Sequence, residues 1–186
     1  MTEEIIRIAN CSGYYGDKLS AAKEMVEGGP IDVLTGDYLA ELTMAILYSQ
    51  KLQRGEDKGY VGTFLKQLKE IAKTCKDQKI KIVSNAGGLN PKSMAKEVET
   101  ILAELDVDAT VAYIDGDDLI EELERLQAAG ETLENIDRKI PLAQSDCKVL
   151  TANTYLGSWG IKEALDLGAD IVICPRVTDA SVTMGP

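Results

Sequence analysis

The chain has no histidine in its 186 residues, and that absence excludes a great deal of chemistry. Neither a Ser-His-Asp triad nor a Cys-His pair can be built within it. Imidazole-based zinc sites are excluded as well. Proton transfer must fall to Asp, Glu, Lys, Tyr or Cys. Cysteine is sparse too. Cys11, Cys75, Cys147 and Cys174 stand far apart, and no C-x-x-C pair suggests a zinc ribbon or a thioredoxin-type redox motif. Cys75 lies in a Lys-rich helical stretch and reads as a surface or half-buried thiol. Cys11 and Cys174 close apolar runs and read as packing rather than as nucleophiles, since nothing nearby in sequence would lower a thiol pKa. Positive charge is in deficit. A net charge of −11 argues against a nucleic-acid partner, which demands clustered Lys and Arg. No apolar run is long enough to span a membrane. The opening Met1-Thr-Glu-Glu4 is neither a basic-then-apolar signal nor an Arg-rich transit segment, so the cytoplasm is the expected compartment.

What the chain does have is a repeated succession. An apolar run ends, a cluster of Gly, Asn, Asp or Ser follows, and a helical pattern begins. Ile5–Ala9, Ile31–Leu34, Ile80–Val83, Thr110–Ile114, Val149–Ala152 and Ile171–Cys174 are the six runs. Strands alternating with helices imply a mostly parallel sheet covered by helices on both faces, a three-layer, Rossmann-like α/β fold. Part of a βα barrel is the alternative, although six strands are fewer than a closed eight-stranded barrel needs. The length fits a single domain. In such folds ligands bind at the carboxyl ends of the strands. Asn10, Asp37, Asn85, Asp115, Asn153 and Arg176 are therefore expected on one edge of one sheet.

Helical spacing places helices near 18–27, 38–54, 64–72, 91–105, 119–129 and 161–167. Asp37 is expected to cap the second, whose inward face would be Leu39, Leu42, Ala45, Ile46 and Leu52. Asn90-Pro91 reads as an N-cap followed by proline at the first helical position. Gly168 reads as a C-terminal stop. Residues 131–146 are irregular, with at most one helical turn. The final segment, Arg176 to Pro186, reads as the start of a further βα unit. The expectation is a chain that continues or is completed by a partner, and that exposes an apolar face.

Several strand ends carry chemistry. Ser84-Asn-Ala-Gly-Gly-Leu-Asn-Pro91 links a buried strand to a capped helix. Ser84, Asn85, Gly87, Gly88 and Asn90 there make either an anion cradle of backbone N–H groups or a purely structural turn. The turn lacks both G-x-G-x-x-G and G-K-[ST], so nucleotide binding by those devices is unsupported. Asp37 is a candidate acid–base residue, with Glu41 four residues on, unless it is only a cap. Asp115, Asp117 and Asp118 share one turn. They serve in acid–base or hard-cation work, with Asp117 the candidate, or simply complement a helix dipole. No spacing matches a dedicated metal motif. Arg176 suits bidentate recognition of a carboxylate or phosphate, and Asp179 either holds it or caps the next helix. Asn10 and Asn153 complete the binding set.

Taken together, Asn10-Cys-Ser-Gly-Tyr-Tyr-Gly-Asp17, Gly28-Gly-Pro-Ile-Asp-Val-Leu-Thr-Gly-Asp-Tyr-Leu-Ala-Glu-Leu-Thr43, Ser84 to Pro91, Gly116-Asp-Asp118, Thr151-Ala-Asn-Thr-Tyr-Leu-Gly157 and Gly168 to Ser181 resemble the N-terminal domain of the acyclic terpene utilisation AtuA family. The resemblance runs in order along nearly the whole chain. It implies that residues 1–186 are the first part of a longer domain. It also implies a place in bacterial breakdown of citronellol- or geraniol-type terpenoids through CoA thioesters, with no cofactor specified. The expected substrate is then a small carboxylate or acyl-CoA. Tyr14, Tyr15, Tyr155 and Trp159 line its apolar part or pack in the core. The other reading is a non-catalytic binding or assembly subunit. In both, a homo-oligomer or partner subunit is expected.

Overall fold

The computed structural model describes residues 5–186; the N-terminal reading of Met1–Glu4 lies outside the described residues. The chain forms an open sheet of five parallel strands in the order β1-β2-β3-β5-β4. The strands are β1 (Ile8–Asn10), β2 (Val33–Gly36), β3 (Lys81–Ser84), β4 (Val111–Tyr113) and β5 (Ile171–Ile173). Both edges are open, so the barrel alternative falls and the three-layer α/β fold stands.

Alternate residues of each strand enter different layers. Leu34, Ile82, Ile171 and Ile173 pack with the larger core, under α1 (Ala21–Glu27), α3 (Gly62–Gln78) and α4 (Pro91–Glu104). Val33, Val83 and Val172 face a smaller core under α6 (Trp159–Asp166) and α7 (Ser181–Met184). This two-sided burial explains why the strands read as nearly continuous apolar runs.

The structure differs from the sequence expectation in several places. Val149–Ala152 is not a strand. It lies across the carboxyl edge, where Ala152 O accepts from Leu119 N, and Asn153 bridges Asp118. Only two of its four residues are strongly apolar, too few to be buried on both faces. α2 runs Glu41–Arg54, not from residue 38, and Asp37 does not cap it. Residues 37–40 instead stay out of the helix, and Tyr38 inserts into the core edge-on to Phe64 and bonds Gln67. The buried face of α2 is consequently Thr43, Met44 and Leu47, whereas Leu42 is 73% exposed and Leu52 also faces out. The fifth helix is a 3₁₀ turn, Ile120–Glu122, followed by a short α5, Leu123–Ala128. Cys75 is buried, not superficial. It continues the inward stripe Leu68, Ile71, Ala72 at helical spacing.

Asn90 caps α4 as expected, accepting from Ser93 N at 3.2 Å, with Pro91 next. Residues 131–146 hold only the 3₁₀ turn Leu142–Gln144.

The topology reverses beside β3. The chain leaves β3 into α4 on one face, and leaves its neighbour β5 towards α7 on the other. Adjacent strands that send their chains to opposite faces leave a crevice at their carboxyl ends, where ligands of open α/β sheets bind. The two loops touch there: Gly87 N donates to Cys174 O at 3.0 Å. A Cβ on Gly87 would lie 2.6 Å from that oxygen and 2.7 Å from Pro91 Cβ. Gly87→Ala is expected to lower stability by roughly 1–3 kcal/mol, the range for forcing extra volume into a packed site. Urea unfolding measures this, and an unchanged midpoint would mean that the crevice is loosely packed.

Candidate functional site

The site is assembled from the loops after β2, β3 and β5, with the Asp117–Asn153 crossing behind them. Asn85 is completely buried. Its side-chain oxygen accepts from Tyr38 N at 2.7 Å, and its Nδ2 donates to Asp37 Oδ1 at 2.6 Å. Asp37 is half-buried, and Leu39 N lies 3.4 Å from the same oxygen. Burial raises the proton affinity of Asp37, and the nearby Asp179 carboxylate raises it further, while the Asn85 amide and Arg176 oppose both.

Arg176 is only 4% exposed. Its Nη1 donates to Leu39 O at 2.8 Å and lies 3.3 Å from Asp179 Oδ1. Its Nη2 is 3.7 Å from Glu41 Oε1, and the guanidinium stacks over Tyr155 at 4.2 Å from the ring centroid. The Tyr155 hydroxyl donates to Glu41 Oε1 and holds that carboxylate below its usual range. The guanidinium thus lies beneath two exposed carboxylates, Asp179 and Glu41, and an aromatic face. Its position answers the sequence question of what Asp179 does: Asp179 pairs with Arg176.

Asp117 lies deeper. Its Oδ2 accepts from Asn153 Nδ2 at 2.8 Å and from the Arg176 amide at 3.1 Å. Burial raises its proton affinity. It staples the crossing segment to the β5 loop. Asp118 accepts from Ile120 N and starts the 3₁₀ turn, and Asp115 is exposed. These three carboxylates do not converge. Among the described residues no three His, Cys, Asp or Glu side chains gather as a cation site.

The turn after β3 has a different character from the cradle considered above. Asn85 N, Ala86 N, Gly87 N, Gly88 N, Leu89 N and Asn90 N all donate within the protein. Ser84 Oγ donates to Gly36 O, and Asn90 Nδ2 donates to Glu56 O. Ser84, Gly87, Gly88 and Asn90 therefore offer no free backbone donor to an anion, and the turn is accounted for as scaffold. Gly88 has φ +53°, and its Cβ position lies 2.4 Å from Leu47 Cδ1, which together require glycine. Asn10 sits at the open β1 edge, donating to Ser12 O and accepting from Thr35 Oγ1; it joins the hydrogen bonds of the β2 edge but none to Asp37 or Arg176. Cys174 is packed behind the crevice, where burial pushes its thiol up to about 12, and Cys11 lies against Tyr38.

Sequence reasoning missed the Leu39 carbonyl as the partner of Arg176. A backbone acceptor leaves no trace in residue type. It becomes available here because residues 37–40 are held out of α2.

An open parallel α/β sheet with a polar cluster at its chain reversal defines a ligand-binding class of architecture. Residues 6–186 match the family described as acyclic terpene utilisation family protein AtuA, and the chain belongs to that family. No curated protein and no solved structure matches it.

Two measurements probe the cluster. Asp179 is 67% exposed, so removing its partner leaves a solvated carboxylate rather than a buried charge. Arg176→Ala is expected to cost about 1–3 kcal/mol, from the Leu39 hydrogen bond and the Tyr155 stack, rather than the larger loss of a buried ion pair. Urea unfolding of the variant reads it, and a loss near zero would mean that the guanidinium is not engaged. Asp37 has its proton affinity raised in the folded state, so folding favours its protonated form. Its contribution is complete at low pH and declines as pH rises through the folded pKa. Relative to Asp37→Asn, the wild type is expected to lose stability as pH rises above 3.8. A pH-independent difference in unfolding free energy would overturn this.

Proposed function

We propose that the crevice is the substrate site of a catabolic enzyme, or enzyme subunit, of acyclic terpenoid degradation, acting on a small carboxylate or acyl-CoA of citronellol or geraniol type. Asp37 is the acid–base residue. Arg176 places the Asp179 and Glu41 carboxylates and Tyr155 at the mouth, and Asp117 with Asn153 positions the Arg176 backbone. The observation that carries this reading is Asp37 itself: a half-buried carboxylate with raised proton affinity, fixed by Asn85 at 2.6 Å at the chain reversal. A carboxyl group tuned towards neutrality, at the carboxyl edge of the sheet and without histidine nearby, is suited to exchanging a proton with substrate. Family membership supports the terpenoid context.

A second reading, a non-catalytic binding or assembly subunit, is favoured by a separate feature. Trp159 is 81% exposed, and Leu167 and Met184 also face out near the thinner helical layer. Apolar side chains of this size support an interaction role where they form one contiguous patch.

A panel of terpenoid acids and their CoA thioesters tests both. Under the first reading a member raises the unfolding temperature, with stabilisation of about 2.7 kcal/mol at a hundredfold excess over Kd. Wild type then also catalyses deuterium uptake from D₂O into that ligand, and Asp37→Asn slows it by roughly 10²–10⁴-fold. Stabilisation without exchange assigns the crevice to binding alone, and no stabilisation by any member removes the site.

A further inference from the structure

Arg176 carries a buried guanidinium that is scarcely satisfied. Its side chain is 5% exposed, yet among the described residues the guanidinium makes a single hydrogen bond, from Nη1 to Leu39 O. Nε and Nη2 make none, and the carboxylate oxygen paired with Nη2, Glu41 Oε1, stands 3.7 Å away. Thr63 Oγ1 is the only side-chain nitrogen or oxygen among the described residues that is both unpartnered and sealed from solvent. Nε and Nη2 of Arg176 therefore reach the surface, on the side where Glu41 and Tyr155 are exposed.

These two nitrogens form one edge of the guanidinium plane, the edge that binds both oxygens of a carboxylate side by side. Arg7 shows the same edge satisfied within this protein: its Nε and Nη2 donate to the two oxygens of Asp32 at 3.0 and 2.8 Å. At Arg176 no carboxylate of the described chain completes it. Glu41 stands at its margin, but Glu41 Oε1 is held by the Tyr155 hydroxyl instead, and the Glu41 side chain is 80% exposed. Tyr155 also lies against the guanidinium, 4.2 Å from ring centroid to Cζ. A guanidinium edge and a phenolic donor thus converge on a place that Glu41 fills loosely.

We propose that Glu41 is a displaceable stand-in for the carboxylate of the ligand. A free carboxylate enters on the Nε–Nη2 edge of Arg176, takes over the Tyr155 hydroxyl and sends Glu41 into water. An exposed ion pair costs little to break, and one carboxylate replaces another, so Asp37 and Asp179 meet no added negative charge. A thioester has one carbonyl oxygen and no charge to match the edge, so the crevice selects the free acid over its CoA thioester. The inference rests on the crevice being the ligand site, and not on the proton chemistry assigned to Asp37.

The test is calorimetric titration of the intact chain with octanoate, octanamide and octanoyl-CoA. Glu41→Gln is expected to tighten octanoate binding about two- to fivefold, the worth of one competing exposed ion pair; a merely structural Glu41 would not give a gain. Glu99→Gln, which removes an exposed carboxylate of α4, should leave the affinity unchanged. Arg176→Lys keeps the charge but loses the planar fork, and should weaken octanoate binding roughly tenfold or more. Glu41→Gln alters an exposed residue, so its arm stands even where Arg176→Lys unfolds the chain. Octanamide and octanoyl-CoA should both bind more weakly than octanoate. Unchanged or weaker octanoate binding by Glu41→Gln, no octanoate binding by that variant, or full binding by a folded Arg176→Lys would overturn the proposal. So would octanamide or octanoyl-CoA binding as tightly as octanoate. Carboxylate binding that follows this pattern without deuterium uptake into any ligand would remove the acid–base role of Asp37 and leave the exchange at Arg176 standing.

Discussion

The carboxyl edge of this protein depends on one buried amide. Asn85 is out of contact with water and engages the β2 loop with both ends of its side chain, accepting from Tyr38 N and donating to Asp37. Its backbone N–H adds a third bond, to Gly36 O. A buried amide with its partners removed costs about 1–3 kcal/mol for each group left unpaired, so the β2 loop is held where Asn85 can be satisfied. That constraint keeps residues 37–40 out of α2. Because those residues are not helical, Tyr38 can enter the core and Leu39 can turn its carbonyl to Arg176. Site geometry and core packing therefore follow from the same side chain.

Electrostatics then sort the acids by depth. Asp117 and Asp37 are buried wholly or in part and are pushed towards neutrality, whereas Asp179 and Glu41 remain in water near a single guanidinium. An acidic surface can tolerate this because exposed carboxylates repel weakly through solvent.

Much of this was legible in the residues. The two-sided apolar runs indicated the parallel sheet, and the Gly, Asn and Asp clusters after them marked its carboxyl edge. Asn90-Pro91 marked a helix start that the structure reproduces, with Asn90 accepting from Ser93 N and proline following. The errors have a common physical origin. Asp37 has the side chain of an N-cap and sits where a helix pattern begins, but Asn85, distant in sequence, competes for its carboxylate. Cys75 looked superficial because the lysines around it dominate composition, although its helical phase with Ile71 and Ala72 decides burial. Val149–Ala152 has the length of a strand without an apolar residue at each position, so it crosses the edge instead of joining it. The family resemblance rested on the clusters themselves, which is why it survived these local errors.

The two layers over the sheet are unequal, and this bears on how the crevice would work. The Asn85 side is backed by α3 and α4, of 17 and 14 residues. The Arg176 side is backed by α6 and the four-residue α7, whose Val182 is buried while Met184 faces out. Elements with few buried apolar contacts open locally at lower free energy than the core. Asp37 is held instead by its partner amide, since Asn85 is completely buried. Asp179, one residue before the Ala180 that precedes α7, sits on the softer wall. A ligand bridging the two would order the softer wall against the stiffer one, so part of its binding energy would go into fixing the Arg176 loop. The position of Asp37 would stay constant while the Arg176 loop adapts, because its partner amide is buried and the carboxylate of Asp179 is in water.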